Sequence, residues 1–310
     1  MLPQYVHFAG PVHPSAAALP NRALEPCLGV SPVPEPEGYL ASVAEAVRSL
    51  RAGELRKVVL ARALQLTFAE TIGAEGILSN LVKDNAHGYT FAADLPPRAG
   101  DAQRTLIGSS PELLLSRTGT DVISHPLAGS APRSPDPATD RANAESLLDS
   151  AKDQVEHALV IDAVTEILGP FCRNLAVPAE PSLTSTSTMW HLGTRVTGEL
   201  IDPDVSALTL ATRLHPTPAI CGTPRQAARE AIEQLEPFDR NYYAGIVGWC
   251  DAAGDGQWAI AIRCADVEDR ALRLFAGAGI VEGSEPDLEL AETSAKFQTL
   301  LRAMGLDLEL

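Results

Sequence analysis

Apolar positions change period repeatedly along the chain, and each change predicts an element. Val43, Val47 and Leu50 recur at helical spacing. Residues 56–68, RKVVLARALQLTF, are apolar and β-branched and predict a strand. A helix is predicted over 77–83, and strands over 89–94 and 105–108. LLLSRTGTDVISHPLA predicts a hairpin around Thr118-Gly119-Thr120. After the loop APRSPDPATD, a long helix with a break inside is expected from about 139 to 168, ending at Gly169-Pro170. Strands are expected over 182–188 and 194–200, and a helix over 204–213. LHPTPAICGTP is a loop, and Pro224 opens another helix. GIVGWCDAAGDGQWAIAIRCADV predicts a second hairpin, and ALRLFAGAGIV a strand running into a glycine-rich end. The last helix is predicted from Pro286 to about Met304, with Ser284 as its N-cap.

Strands joined by tight turns, without regular βαβ alternation, point to antiparallel sheet with helices packed outside, an α+β class. Residues 10–37 are rich in Pro and Ala. The expected organisation is an irregular lead-in over 1–37 and a single catalytic domain over 38–310.

Composition narrows the function. With 45% apolar residues in 310, a sizeable core is available. No apolar run approaches the roughly 18 residues of a membrane span, and the first residues lack the pattern of a secretory signal. Five scattered cysteines without CxxC spacing suggest free thiols in a reducing cytoplasm. A net charge of −16 argues against a nucleic-acid partner. An anionic substrate would need positive charge gathered locally.

Several side chains have the spacing or setting for chemistry. Glu289, Glu292 and Lys296 share one helical face, as do Asp153 and Glu156. Two such helices could clamp a hard cation such as Mg²⁺; each pair alone also fits a solvated helix surface. His157, beside Glu156, suits packing or support. Lys57 lies in an apolar strand, where partial desolvation would make it a base. Glu112 precedes the apolar run LLL, where a raised pKa would make it an acid. Gly277 and Gly279 at a strand end would let backbone N–H groups approach an anion, or form a simple bulge. Arg263 offers a fork for a carboxylate if it faces inward. His191 is either a hydrogen-bond donor to substrate or a core histidine.

Taken together, KVVLAR, GSSPELLLSR, HPLAGSAPR, AKDQVEH, MWHLGT, LHPTPAICGTPRQAA, QLEPFDRNYYAGIVGW, WAIAIRCA, LFAGAGIV and LELAETSAKF carry a resemblance. From about residue 38 to 306 the chain resembles the chorismate-utilising enzymes, the family of isochorismate, salicylate, anthranilate and aminodeoxychorismate synthases. That resemblance implies two packed, mainly antiparallel sheets with helices outside, as in the anthranilate synthase component I fold. It implies Lys57 as the base that activates water and Glu112 as the acid for the departing hydroxyl. Glu156 and Glu292 would be direct Mg²⁺ ligands, with Asp153 and Glu289 acting through water. Arg263, Tyr243, Gly277 and Lys296 match positions that hold the substrate's carboxylates and enolpyruvyl group; Gly129 and His191 match positions near the ring.

Single positions favour one branch of the family. Lys57 favours water over ammonia as nucleophile, so no glutamine amidotransferase subunit is expected. Ala128 stands where aminodeoxychorismate synthases of one type carry a nucleophilic Lys. Ala219, also placed at the substrate, stands where salicylate-forming members tend to carry Thr. The implied activity is isochorismate formation from chorismate, serving menaquinone or siderophore synthesis, by a cytoplasmic monomer. The chain is shorter than typical members at its N-terminus.

Overall fold

The computed structural model describes residues 26–85, 88–97 and 103–308. The first part runs β1 (Cys27–Val33), α1 (Pro36–Arg51), β2 (Lys57–Phe68), α2 (Ala74–Asp84), β3 (Tyr89–Leu95), β4 (Arg104–Ser110), β5 (Leu113–Thr118), β6 (Asp121–His125) and β7 (Leu127–Pro132). Then come α3 (Pro137–Asp149), α4 (Ala151–Leu168), β8 (Cys172–Ala176), β9 (Ser182–Ser185), β10 (Met189–Gly193), β11 (Val196–Leu200), α5 (Ala207–Leu214), β12 (Gly222–Thr223) and α6 (Arg225–Leu235). The chain closes with β13 (Ile246–Cys250), β14 (Gly256–Ile260), β15 (Cys264–Glu268), β16 (Ala271–Ile280) and α7 (Pro286–Ala303).

The class is α+β, with every described strand pair antiparallel. A seven-stranded sheet runs β1-β2-β16-β15-β4-β3, with β12 added beside β2. A six-stranded sheet runs β13-β14-β5-β6-β11-β8. A third, three-stranded sheet, β7-β10-β9, goes beyond the two that were expected. The main core lies between elements of the large sheets and the helices, with Leu114, Leu115, Val160, Val164, Leu210, Ile260 and Phe275 in one cluster. Burying such side chains is the main force holding the layers together, about 1.5–3 kcal/mol each.

The chain passes from one sheet to another at three places that matter later. Pro111 and Glu112 link β4 to β5, Pro126 links β6 to β7, and residues 261–263 link β14 to β15. Two of these crossings lie side by side. Cys264 pairs with Gly108, the Ser109 N–H donates to the Arg263 carbonyl at 3.1 Å, and the Ile260 N–H donates to the Glu112 carbonyl at 3.2 Å.

Several expectations needed correction. Residues 27–33 form an edge strand, although they fall in the stretch expected to be irregular; the earlier part of that stretch lies outside the described residues. The break expected inside the long helix does occur: it falls at Ser150, whose hydroxyl accepts from the Asp153 N–H and caps α4. WAIAIRCADV is not one strand: it breaks at Arg263, which adopts a left-handed φ of +51°. The stretch 182–200 holds three strands rather than two. Ser284 does not cap α7; its hydroxyl accepts from the Val281 N–H, and Glu285 occupies the cap position without a side-chain bond. No helix among the described residues is long and apolar enough to cross a membrane.

Candidate active site

A cavity of about 50 Å³, partly open to solvent, lies where the sheet crossings meet α4 and α7. Twelve of the residues singled out in the sequence line it: Glu112, Ala128, Gly129, Glu156, His191, Ala219, Tyr243, Arg263, Gly277, Gly279, Glu292 and Lys296. Lys57, Asp153 and Glu289 stand behind that lining rather than on it.

Lys57 opens β2 and is fully buried, with its Nζ 2.9 Å from Glu156 Oε1 on α4. The neighbouring strand makes room for this pair. Gly279 lies opposite Val59 in the β2–β16 ladder, and a Cβ there would overlap Glu156 Oε1 and stand 2.9 Å from Lys57 Cε. The glycine is therefore required by space, a reading sharper than the loose anion loop considered from sequence. Gly277, two residues earlier, leaves room for the Tyr243 hydroxyl, which a Cβ would approach to 2.7 Å.

Glu112 sits on the β4–β5 crossing, 3% exposed. Burial pushes its carboxyl up to about 7, against the pull of Lys57, the Leu127 backbone, Arg263 and Lys296. The Lys57 amine lies behind the cavity lining, close enough for its charge to act on the Glu112 carboxyl on the wall. A carboxyl poised near neutrality can hold or release a proton under ordinary conditions.

Arg263 sits on the adjacent crossing. Its Nε has no hydrogen-bond partner, and burial lowers the guanidinium pKa. Its Nη2 is 3.4 Å from His191 Nε2. Burial, with Arg263 and Lys296 nearby, keeps His191 well below its usual pKa and so neutral. A buried fork with an unused N–H, on a residue that lines the cavity, suits a carboxylate. Lys296 adds a second positive group, donating to the Gly277 carbonyl at 2.8 Å and to Glu292 Oε1 at 2.5 Å. Tyr243 stacks on Phe275 with ring centroids 5.0 Å apart. These are the local positive charges that an acidic protein needs to hold an anion.

The acidic face comes from two helices. Glu292 accepts from Lys296 and from the Ser130 hydroxyl; burial would raise its pKa, but Lys296 and Lys152 outweigh it and hold it low. Glu289, beneath it, is raised to about 7 by burial and by Glu292, and lies 2.7 Å from Lys152 Nζ. Asp153 is engaged with Ser150 and packs where a Cβ on Gly129 would come within 3.0 Å of its own; Gly129 also has a φ of +81°. Among the described residues, no three His, Cys, Asp or Glu side chains converge into a preformed metal group. Instead, Glu156, Glu289 and Glu292 each hold a lysine ammonium at 2.9, 2.7 and 2.5 Å. Buried carboxylate oxygens already holding cations fit a hard divalent ion.

His157 supports the site from behind. Its Nδ1 is 3.2 Å from the Ala128 carbonyl and its Nε2 is 2.8 Å from the Thr194 hydroxyl. Burial lowers its pKa to about 4, so it is a neutral packing group, as anticipated.

Two residues near the site were missed in the sequence. Lys152 could have been found from its i, i+4 spacing to Glu156. Arg240 is likewise i, i+4 from Glu236, but that spacing says nothing of its other partners. It is bound to Glu236, donates to the Val59 carbonyl at 2.7 Å and the Ile220 carbonyl at 2.9 Å, and lies over the Tyr243 ring. It ties β2, the loop holding Ala219 and the Tyr243 segment together.

This combination of fold and cavity has known relatives. Residues 16–305 match the chorismate binding enzyme family, and the chain belongs to it. It is 57% identical over 279 residues to isochorismate synthase DhbC of Bacillus subtilis, covering 90% of this chain and 70% of that one. Among solved structures, DhbC from Bacillus anthracis superposes with a TM-score of 0.88 at 52% identity, over 90% of this chain and 74% of that one. MenF, the menaquinone-specific isochorismate synthase from Escherichia coli, gives a TM-score of 0.80 at 30% identity, over 92% of this chain and 65% of that one.

Proposed function

We propose that this protein is an isochorismate synthase that works through the cavity between the sheet crossings and the two acidic helices, with residues 38–310 as its catalytic domain. The observation that carries the mechanism is Glu112. Its carboxyl is held near neutrality on the wall of a cavity where Lys57, Arg263 and Lys296 are the charges acting on it.

In this reading Arg263 and Lys296 hold the substrate's carboxylates, with Tyr243 and Gly277 bounding the enolpyruvyl group. Gly129, His191 and Ala219 bound the ring. With its amine neutral, the extra proton having been given up and the ion pair with Glu156 released, Lys57 takes a proton from water as the water oxygen bonds to C2 of chorismate. The ring double bonds shift, the bond from C4 to its hydroxyl breaks, and Glu112 supplies the proton with which that hydroxyl leaves as water. One water enters and one departs, so substrate and product are isomers. One acid and one base suffice.

Magnesium is the cation assigned to the acidic face. Glu156 and Glu292 would hold it, supported by Glu289 and Asp153. When bound, it would neutralise and orient a substrate carboxylate. Free thiols at all five cysteines suit a reducing cytoplasm, and the reading needs neither an amidotransferase partner nor a second copy of the chain.

The test is product analysis by chromatography after incubation with chorismate and Mg²⁺. Isochorismate is the expected product. Salicylate with pyruvate, formed without an added lyase, would make this a salicylate synthase. An aminated product on supplying ammonium would reject water as the nucleophile.

A further inference from the structure

Lys152 has no part in the chemistry described above. It lies in the first turn of α4, and its Nζ is 2.7 Å from Glu289 Oε1 on α7. The Glu289 side chain is 1% exposed, whereas the Lys152 side chain keeps 24% exposure. The anion is sealed in, and the cation stands at the rim with a way out to solvent. An exposed ion pair stabilises little, but a desolvated carboxylate without its cation is costly.

Glu156, Glu289 and Glu292 are each matched by a lysine. Lys57 and Lys296 have duties toward the substrate in the proposed function. Lys152 does not line the cavity, and it reaches the acidic face from the solvent side.

We propose that Lys152 is a resident counter-cation that holds Glu289 in place until a divalent ion binds, then swings outward, and so sets that ion's affinity. The inference rests on the reading of Glu156, Glu289 and Glu292 as cation ligands. Two cations at contact distance from one buried carboxylate repel strongly. Exchange is therefore competitive, and the apparent affinity for the ion falls with the population in which the lysine is closed onto Glu289.

The test is calorimetric titration of Mg²⁺ into the full chain without substrate, together with thermal unfolding with and without Mg²⁺. The unmodified protein should take up the ion, and Glu292→Ala should not. Lys152→Met should bind Mg²⁺ about tenfold more tightly, a change of about 1.4 kcal/mol. Its Tm should be lower without Mg²⁺ and should rise further when the ion is added. Lys152→Arg, which keeps the cation, should stay near the unmodified affinity. Should Lys152→Met not fold without Mg²⁺, Lys152→Gln carries the same comparison. Equal or weaker binding by the uncharged variants overturns the proposal and leaves the metal reading standing. No uptake by the unmodified protein overturns both.

Discussion

Lys57 Nζ and Glu156 Oε1 lie 2.9 Å apart in a buried ion pair, so the proposed base and a proposed cation ligand share one contact. The pair bridges the first residue of β2 and the second turn of α4, and Gly279 supplies the space it occupies. Base and ligand therefore cannot be altered independently.

Replacing the base separates its chemistry from its structural part. Lys57→Ala is expected to lower kcat by about 10²–10⁴-fold, the usual contribution of a positioned acid or base, with an unchanged far-ultraviolet circular dichroism spectrum. It also strands the Glu156 carboxylate, so Tm should fall. In the double variant Lys57→Ala/Glu156→Gln, Tm should recover while turnover does not. Turnover near that of the unmodified protein in the single variant would remove Lys57 from the reaction.

Glu112 gives a pH prediction with opposite signs in activity and stability. Its carboxyl, usually near 4.5, is raised to about 7 by burial. As an acid it must be protonated, so kcat/KM should fall as pH rises through about 7. The folded protein holds this proton between 4.5 and about 7 when the unfolded chain has released it. The group's contribution to stability is thus fully present below 4.5 and is lost as pH rises through about 7. Glu112→Gln removes that loss. It should abolish turnover yet be more stable than the unmodified protein at pH 8, by on the order of 2–3 kcal/mol, with the gap closing toward pH 4. Urea unfolding at both pH values measures it, and a gap independent of pH would contradict the assignment.

Gly279 tests whether space at the ion pair matters. Gly279→Ala would place a methyl group on Glu156 Oε1 and against Lys57. Overpacking should cost about 1–3 kcal/mol, and turnover should drop because the pair must separate. Gly283→Ala, where a Cβ meets nothing within 4 Å, is the matched control and should change neither. Equal behaviour of the two variants in a kinetic and thermal comparison would show that the close packing is unimportant.

Much of the site was legible because periodicity survives folding. Glu289, Glu292 and Lys296 announced one face of a helix, and Asp153 and Glu156 another, since the 3.6-residue repeat is a local property. The ten motifs placed the lining residues in one family before any contact was known. What stayed hidden depends on tertiary structure. Residues 256–268 carry strand-forming side chains on both sides of Arg263, so nothing local marks the corner where the chain leaves one sheet for another. β10 was blurred into its neighbours because Met189, His191, Leu192 and Gly193 are all buried, leaving no alternation to read. The Arg240 clamp joins groups that are remote in sequence, and its hydrogen bonds to the carbonyls of Val59 and Ile220 leave no trace in spacing.

Glu112 and Arg263 both belong to linkers between sheets rather than to the sheets themselves. Neither linker acquires its shape from one sheet alone, so recognition depends on how the two sheets meet and not on either by itself. Ligand binding is accordingly a stricter gauge of intactness than any spectroscopic signal from strands or helices. A heated or mildly denatured sample will fall silent toward chorismate while its secondary structure still looks whole.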